Sequence, residues 1–253
     1  DTRLATQETD IQTEAPLSRA TALLTEALME DTPALPTSET MDSINQIGVG
    51  DDHTLYCQTE RSLRDIVYEQ DFEDEVGPVW SSEKIEQSPS GERFLGQFGN
   101  ELITLELVDL PINQRLIINF DLYILKSWDG NAYKDIWGFS YNDEFTFRTT
   151  FDTWPFPGNP EHTQDFPKEY SGDTVGFNPS RYGSTSNDNL GYFFDPLDRV
   201  LESTYSMLFE FNLQSQDARF DFFAEALENN STLEDETWGI DNVQVFVVSE
   251  TDE

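Results

Sequence analysis

The chain of 253 residues has little sulfur, lysine or histidine, and each scarcity closes off a way of building or using it. Its single cysteine, Cys57, cannot form an internal disulfide. A fold in an oxidising compartment is then left with a metal ion or another chain as its staple. The two histidines, His53 and His162, show no metalloprotease spacing and no neighbouring nucleophile, and no nucleophile-elbow or phosphate-loop pattern occurs. A non-catalytic protein is therefore expected, although fifty acids always leave room for a pair of glycosidase carboxylates. Long apolar runs are also missing: none nears the roughly 18 residues of a membrane span, and no stretch reads as a signal peptide. The first residue, Asp1, is what a processed mature chain or a trimmed one would present.

What is abundant is acid. Fifty acidic residues against fourteen basic ones give a formal charge of -36, which repels a phosphate backbone and makes nucleic acid an unsuitable partner. The lysines are only Lys84, Lys126, Lys134 and Lys168. An acidic, lysine-poor surface suits saline or calcium-rich water that screens self-repulsion, so a secreted or cell-surface location is expected. Disorder of the whole chain is excluded by its 13% aromatic and 37% hydrophobic content.

Two textures divide the chain. Residues 1–60 form a polar arm rich in Thr, Glu, Ser and Pro, in which Leu17, Leu23, Leu24 and Leu28 lie on one helical face beside Ala20 and Ala27. That spacing predicts one short amphipathic helix over 16–30, stopped by Pro33 and Pro36 and followed by a linker over 41–52. Over 61–250 the period changes to two. Ile103 to Leu107, Leu116 to Ile124, Phe145 to Phe151, Tyr205 to Leu213 and Val243 to Val247 alternate as half-buried strands do. Shorter strands are expected at 66–68, 136–141 and 219–224. Some eight strands with no intervening helix predict an all-β fold of two packed antiparallel sheets, a closed barrel being the alternative. A long loop over 152–199, punctuated by proline and rich in aromatics, is expected to be an ordered excursion.

Several segments then combine in a suggestive order. Asp71-Phe72-Glu73, Gly77-Pro78-Val79-Trp80-Ser81, Phe94-Leu95-Gly96-Gln97-Phe98-Gly99-Asn100, Ser127-Trp128-Asp129-Gly130-Asn131, Asp135-Ile136-Trp137 and Trp238-Gly239-Ile240-Asp241-Asn242-Val243 resemble the jelly-roll modules of bacterial secreted and surface-anchored proteins. These are similar in architecture to carbohydrate-binding modules and galactose-binding-like domains. The resemblance covers about 180 residues and implies a jelly-roll sandwich with structural calcium. The arm and the long loop have no counterpart in it.

Calcium takes six to eight oxygen ligands. In a jelly roll the first and last strands can run side by side, so Glu73 and Asp241 are candidate ligands, and they match acidic positions that hold calcium in similar modules. Asp71, Asp235 and Glu236 are additional candidates. Asp129 and Asp135, around Gly130-Asn131, offer either a second ion site or a plain acidic turn, the turn being preferred. Trp154 and Phe156 are either an aromatic platform for a sugar or a neighbouring subunit, or, the preferred reading, a plug for one end of the sandwich. Asn229 and Asn230 head overlapping glycosylation sequons.

The expected function is an extracellular structural subunit, hardened by calcium and polymerising with itself through the leucine face of its arm into a filament or surface layer. The alternative is a carbohydrate-binding, lectin-like adhesin.

Overall fold

The computed structural model describes residues 45–49, 55–59, 63–156, 158–228 and 233–249. The arm helix over 16–30 and the sequons at Asn229 and Asn230 lie outside these residues. Strands β1 (Asn45–Val49) and β2 (Leu55–Thr59) pair as an antiparallel hairpin, so part of the expected linker is strand. Gly50, Asp51 and Asp52 lie between them and are residues that favour tight turns.

The main body contains β3 (Leu63–Gln70), β4 (Ile85–Gln87), β5 (Arg93–Phe98), β6 (Leu102–Leu107), β7 (Gln114–Leu125), β8 (Ile136–Tyr141) and β9 (Phe145–Thr150). The excursion adds two-residue strands β10 (Thr163–Gln164), β11 (Asn178–Pro179), β12 (Ser186–Asn187), β13 (Phe193–Phe194) and β14 (Arg199–Val200). The chain then returns through β15 (Glu202–Leu213), β16 (Ala218–Glu225) and β17 (Thr237–Ser249). One sheet runs β12-β15-β7-β17-β5-β4, with β3 also on β17, and the other runs β6-β16-β8-β9. Every pairing is antiparallel, and together they make a two-sheet jelly-roll sandwich.

Alternation places one apolar face of each strand in the gap between the sheets. Leu116, Ile118, Phe120, Leu122 and Ile124 of β7 are buried beside Tyr205, Met207, Phe209 and Phe211 of β15. Trp137, Phe139, Phe220 and Phe222 meet them from the opposite sheet. Phe139 stacks on Phe209 with ring centres 4.3 Å apart and also touches Phe120, Phe211, Phe220 and Phe222. Strand β5 shows no alternation in the sequence because it is covered on both faces. Its Phe94 lies over Gly96 and Gly239, where an added Cβ would come within 2.5 Å and 2.4 Å of the ring. Tyr123 and Tyr192 hold that ring edge-on from above.

The open edges of the smaller sheet are covered. Beside β6, Ser81 N donates to Thr104 O and Glu106 N to Val79 O; beside β9, Tyr170 N donates to Arg148 O and Phe166 N to Thr150 O. The excursion is thereby fastened to the sandwich. Arg181 braces the excursion internally, with two 2.9 Å bonds to Asp188 and a 2.8 Å bond to Thr153 O.

Candidate metal centre

The connection from β7 to β8 closes as a compact loop because Gly130, at φ +64°, turns where a side chain would strike Thr163 O at 2.2 Å. Lys134 N and Asp135 N both donate to Gly130 O. This folds Asp135 back so that its Oδ2 accepts the backbone N–H of Asp129. Trp128, buried beneath the loop, donates its indole N–H to Thr237 O at 2.9 Å and ties the loop to the start of β17. That tie brings Glu236 to the two aspartates. One carboxylate oxygen from each of Asp129, Asp135 and Glu236 lies within 4.8 Å of the other two.

Oxygens on opposite sides of a calcium ion stand about 4.8 Å apart, twice the metal–oxygen bond, so the cluster has the span a hard cation requires. Asp135 is 0% exposed, and its Oδ1 has no hydrogen-bond partner. Among the described residues, no ion pair involves any of the three acids. Buried carboxylates without countercharge resist ionisation. Burial, followed by the charges of Asp235 and Glu228, raises Asp129 to about 6. Burial is also the main reason that Asp135 rises to about 7 and Glu236 to about 9, the latter aided by Asp135 and Asp235. The donors are all oxygen and the site is dense in negative charge, which suits calcium rather than a softer metal.

These shifts fix a pH dependence. Carboxyls raised above their unfolded values contribute stability that is complete below about pH 4 and is lost as pH climbs through the folded values. The metal-free protein should therefore melt at progressively lower temperature between about pH 5 and pH 9. Saturating calcium should flatten or reverse that slope, because binding the ion displaces the protons. Differential scanning calorimetry across the range, in chelator and in calcium, checks both statements.

Of the sequence candidates, the fold brings together Asp129 and Asp135 with Glu236. Asp235 adjoins them and accepts a hydrogen bond from Ser127 Oγ. Glu73 and Asp71 do not join the cluster: both are exposed, and Glu73 N is bonded to Asp71 Oδ1. Asp241 sits apart, opposite Asp121 at an irregularity in β17. There it accepts the Tyr123 hydroxyl at 2.8 Å, and burial raises it to about 7.

Sequence reasoning did not single out Asp152, which pairs by an isolated bridge with Asp129 and lies buried beside the site. Its oxygens accept Trp154 N at 2.8 Å and meet His162 Nδ1 at 3.2 Å. Burial is the main cause of its rise to about 8. The signal available was its place directly after the alternating run that ends at Phe151. Trp154 and Phe156 lie outside the core. Trp154 is half-buried and stacks flat on His162 at 4.0 Å, and Phe156 is 53% exposed with the Arg199 guanidinium 5.0 Å from its ring centre. The ring from the excursion that packs into this end of the sandwich is Phe166, buried against Phe151 and Tyr205.

No protein-family model and no curated protein matches the chain. Among solved structures it is similar to the CBM22-1 xylan-binding domain from Paenibacillus barcinonensis, with 12% identity, 74% of this chain and 97% of that one covered, and a TM-score of 0.35. It is also similar to dimeric latent PorU from Porphyromonas gingivalis, at 10% identity over 75% of this chain and 13% of that one, with a TM-score of 0.34. A third is an exo-β-1,3-galactanase from Phanerochaete chrysosporium, at 12% identity over 77% and 30%, with a TM-score of 0.29. Likenesses this distant decide nothing about ligand or activity. The sandwich rests on its own strand pairing.

Proposed function

We propose that the chain is a non-catalytic extracellular binding module whose sandwich is stabilised by calcium held at Asp129, Asp135 and Glu236. The observation that carries this reading is the partnerless, wholly buried Oδ1 of Asp135 inside a three-carboxylate cluster. The ion would join the β7–β8 loop to the start of β17, two segments about a hundred residues apart. Asp152 adjoins the cluster and supports Trp154 and His162, so the ion would also steady the aromatic ledge formed by Trp154 and Phe156.

A neutral carbohydrate is the ligand that best suits the ledge. Phe156 presents an exposed ring, Arg199 offers donors beside it, and a charge of -36 disfavours anionic polymers. Affinity electrophoresis through gels containing neutral polysaccharides, xylan among them, tests this. Retardation by at least one should occur in calcium, weaken on chelation and fall about tenfold in affinity with Phe156→Ala, as expected for loss of one stacking ring worth about 1–1.5 kcal/mol. Equal mobility of wild type and variant in every gel would discard the ledge. Assembly through the leucine face of residues 1–60 has no supporting observation among the described residues, which do not include that face.

A further inference from the structure

Strand β15 leaves a length of its edge open. Its first residues are covered by β12, which pairs with Ser203 and Thr204. On that side Glu202 O accepts Asp188 N and Thr204 O accepts Thr185 N. Backbone groups point alternately to the two sides of a strand, and β15 pairs with β7 without a register shift from Glu202 to Leu213. The N–H and C=O groups of Ser206, Leu208, Glu210 and Asn212 therefore face away from β7, and among the described residues no main-chain partner meets them.

Open ladders are usually blunted by charge, proline, a bulge or brevity. The other edges of the sandwich follow that rule. Those of the smaller sheet are covered, β4 is three residues long, and β3 carries Arg64, Asp65 and Glu69. From Ser206 to Asn212 there is neither lysine nor proline, and the one charged residue, Glu210, is bonded to Arg115 at 2.9 Å. Leu208 stands 39% exposed at the middle of this run. Phe145 of β9 flanks it, partly buried against Phe209 and Phe211. On a chain of charge -36 this edge is locally neutral and partly apolar.

We propose that it is a dimer seam, in which β15 pairs antiparallel with β15 of a second copy and Leu208 lies on the two-fold axis. A symmetric contact presents the same surface twice, so it has to complement itself. In this register Leu208 meets Leu208, and Glu210 faces Ser206 of the second copy, so no like charges stand directly opposite. The net charge still repels approaching copies, and association should therefore strengthen as salt is added.

Sedimentation equilibrium of the full chain, with calcium present throughout, tests this. The mass should stay near 29.0 kDa in dilute salt and approach twice that value at high micromolar protein in about 1 M salt. Leu208→Glu, which sets two carboxylates on the axis, should weaken association about tenfold or more. Ile66→Glu, at an exposed apolar residue of β3, should associate as wild type does. By nuclear magnetic resonance, the wild-type amides of Ser206, Leu208, Glu210 and Asn212 should exchange quickly in the dilute monomer and slowly in the dimer. A single-chain mass at every salt concentration overturns the proposal, as does a dimer that Leu208→Glu leaves intact. Slow exchange of these four amides in the dilute monomer also overturns it, since residues 1–44 of the same chain would then hold the edge.

Discussion

Chelating calcium should lower the melting temperature of the wild-type protein by about 5 to 15 °C, and Asp135→Asn should shift the melt in opposite directions with and without the ion. Calcium at 100 to 1,000 times its dissociation constant stabilises by about 2.7 to 4.1 kcal/mol, and a domain of this size gains about 2–4 °C per kcal/mol. Without calcium, Asp129, Asp135 and Glu236 must either crowd charge into a buried site or hold protons that the unfolded chain would release, and an amide at position 135 relieves that cost at one of them and adds a donor. The variant should therefore melt above wild type in chelator. In calcium it should melt below wild type, because the ion has lost a carboxylate. Identical melts of the wild type with and without calcium would defeat the metal centre. A variant less stable in both conditions would show that Asp135 only shapes the loop.

The second large effect is in the core. Phe139→Ala should destabilise the sandwich by about 3–5 kcal/mol, a large part of the 5–15 kcal/mol by which domains are usually stable. Phe139 is wholly buried and lies at the centre of five other rings from both sheets, so the cavity cannot close by movement of one neighbour. Urea unfolding followed by tryptophan fluorescence measures the loss. Phe156→Ala in the same assay should change stability by no more than about 0.5 kcal/mol, because its ring is largely in solvent. A small effect at Phe139 would mean that the two sheets are less closely interlocked than their ring contacts indicate.

The strands were legible where one face is wet. Tyr205 to Leu213 alternates because Ser206, Glu210 and Asn212 occupy its outer side, and Leu116 to Ile124 because Asn119 and Asp121 do so over its middle; both runs prove to be parts of longer strands. Strand β5 was not found by periodicity because Phe94 and Leu95 are buried on opposite faces and Gly96 leaves no side chain to count. The metal centre was legible in its parts. Asp129, Asp135, Asp235 and Glu236 all stand out as acids, but spacing cannot say which of them meet. That depends on the Trp128 bond to Thr237, which joins segments 109 residues apart. Glu73 and Asp241 looked equally suitable, but Glu73 is exposed whereas Asp241 is buried and accepts the Tyr123 hydroxyl, a difference that spacing does not show.

The covered edges of the smaller sheet also bear on how the molecule behaves in crowded, salty solution. A charge of -36 keeps copies apart in dilute buffer, yet at about 1 M salt electrostatic repulsion reaches only some 3 Å beyond the surface. Exposed strand ladders on colliding molecules would then be free to zip together and seed insoluble fibres. In the smaller sheet the 79–81 segment and the excursion already occupy those ladders, so its edges stay closed to a colliding copy even when salt has screened the charge.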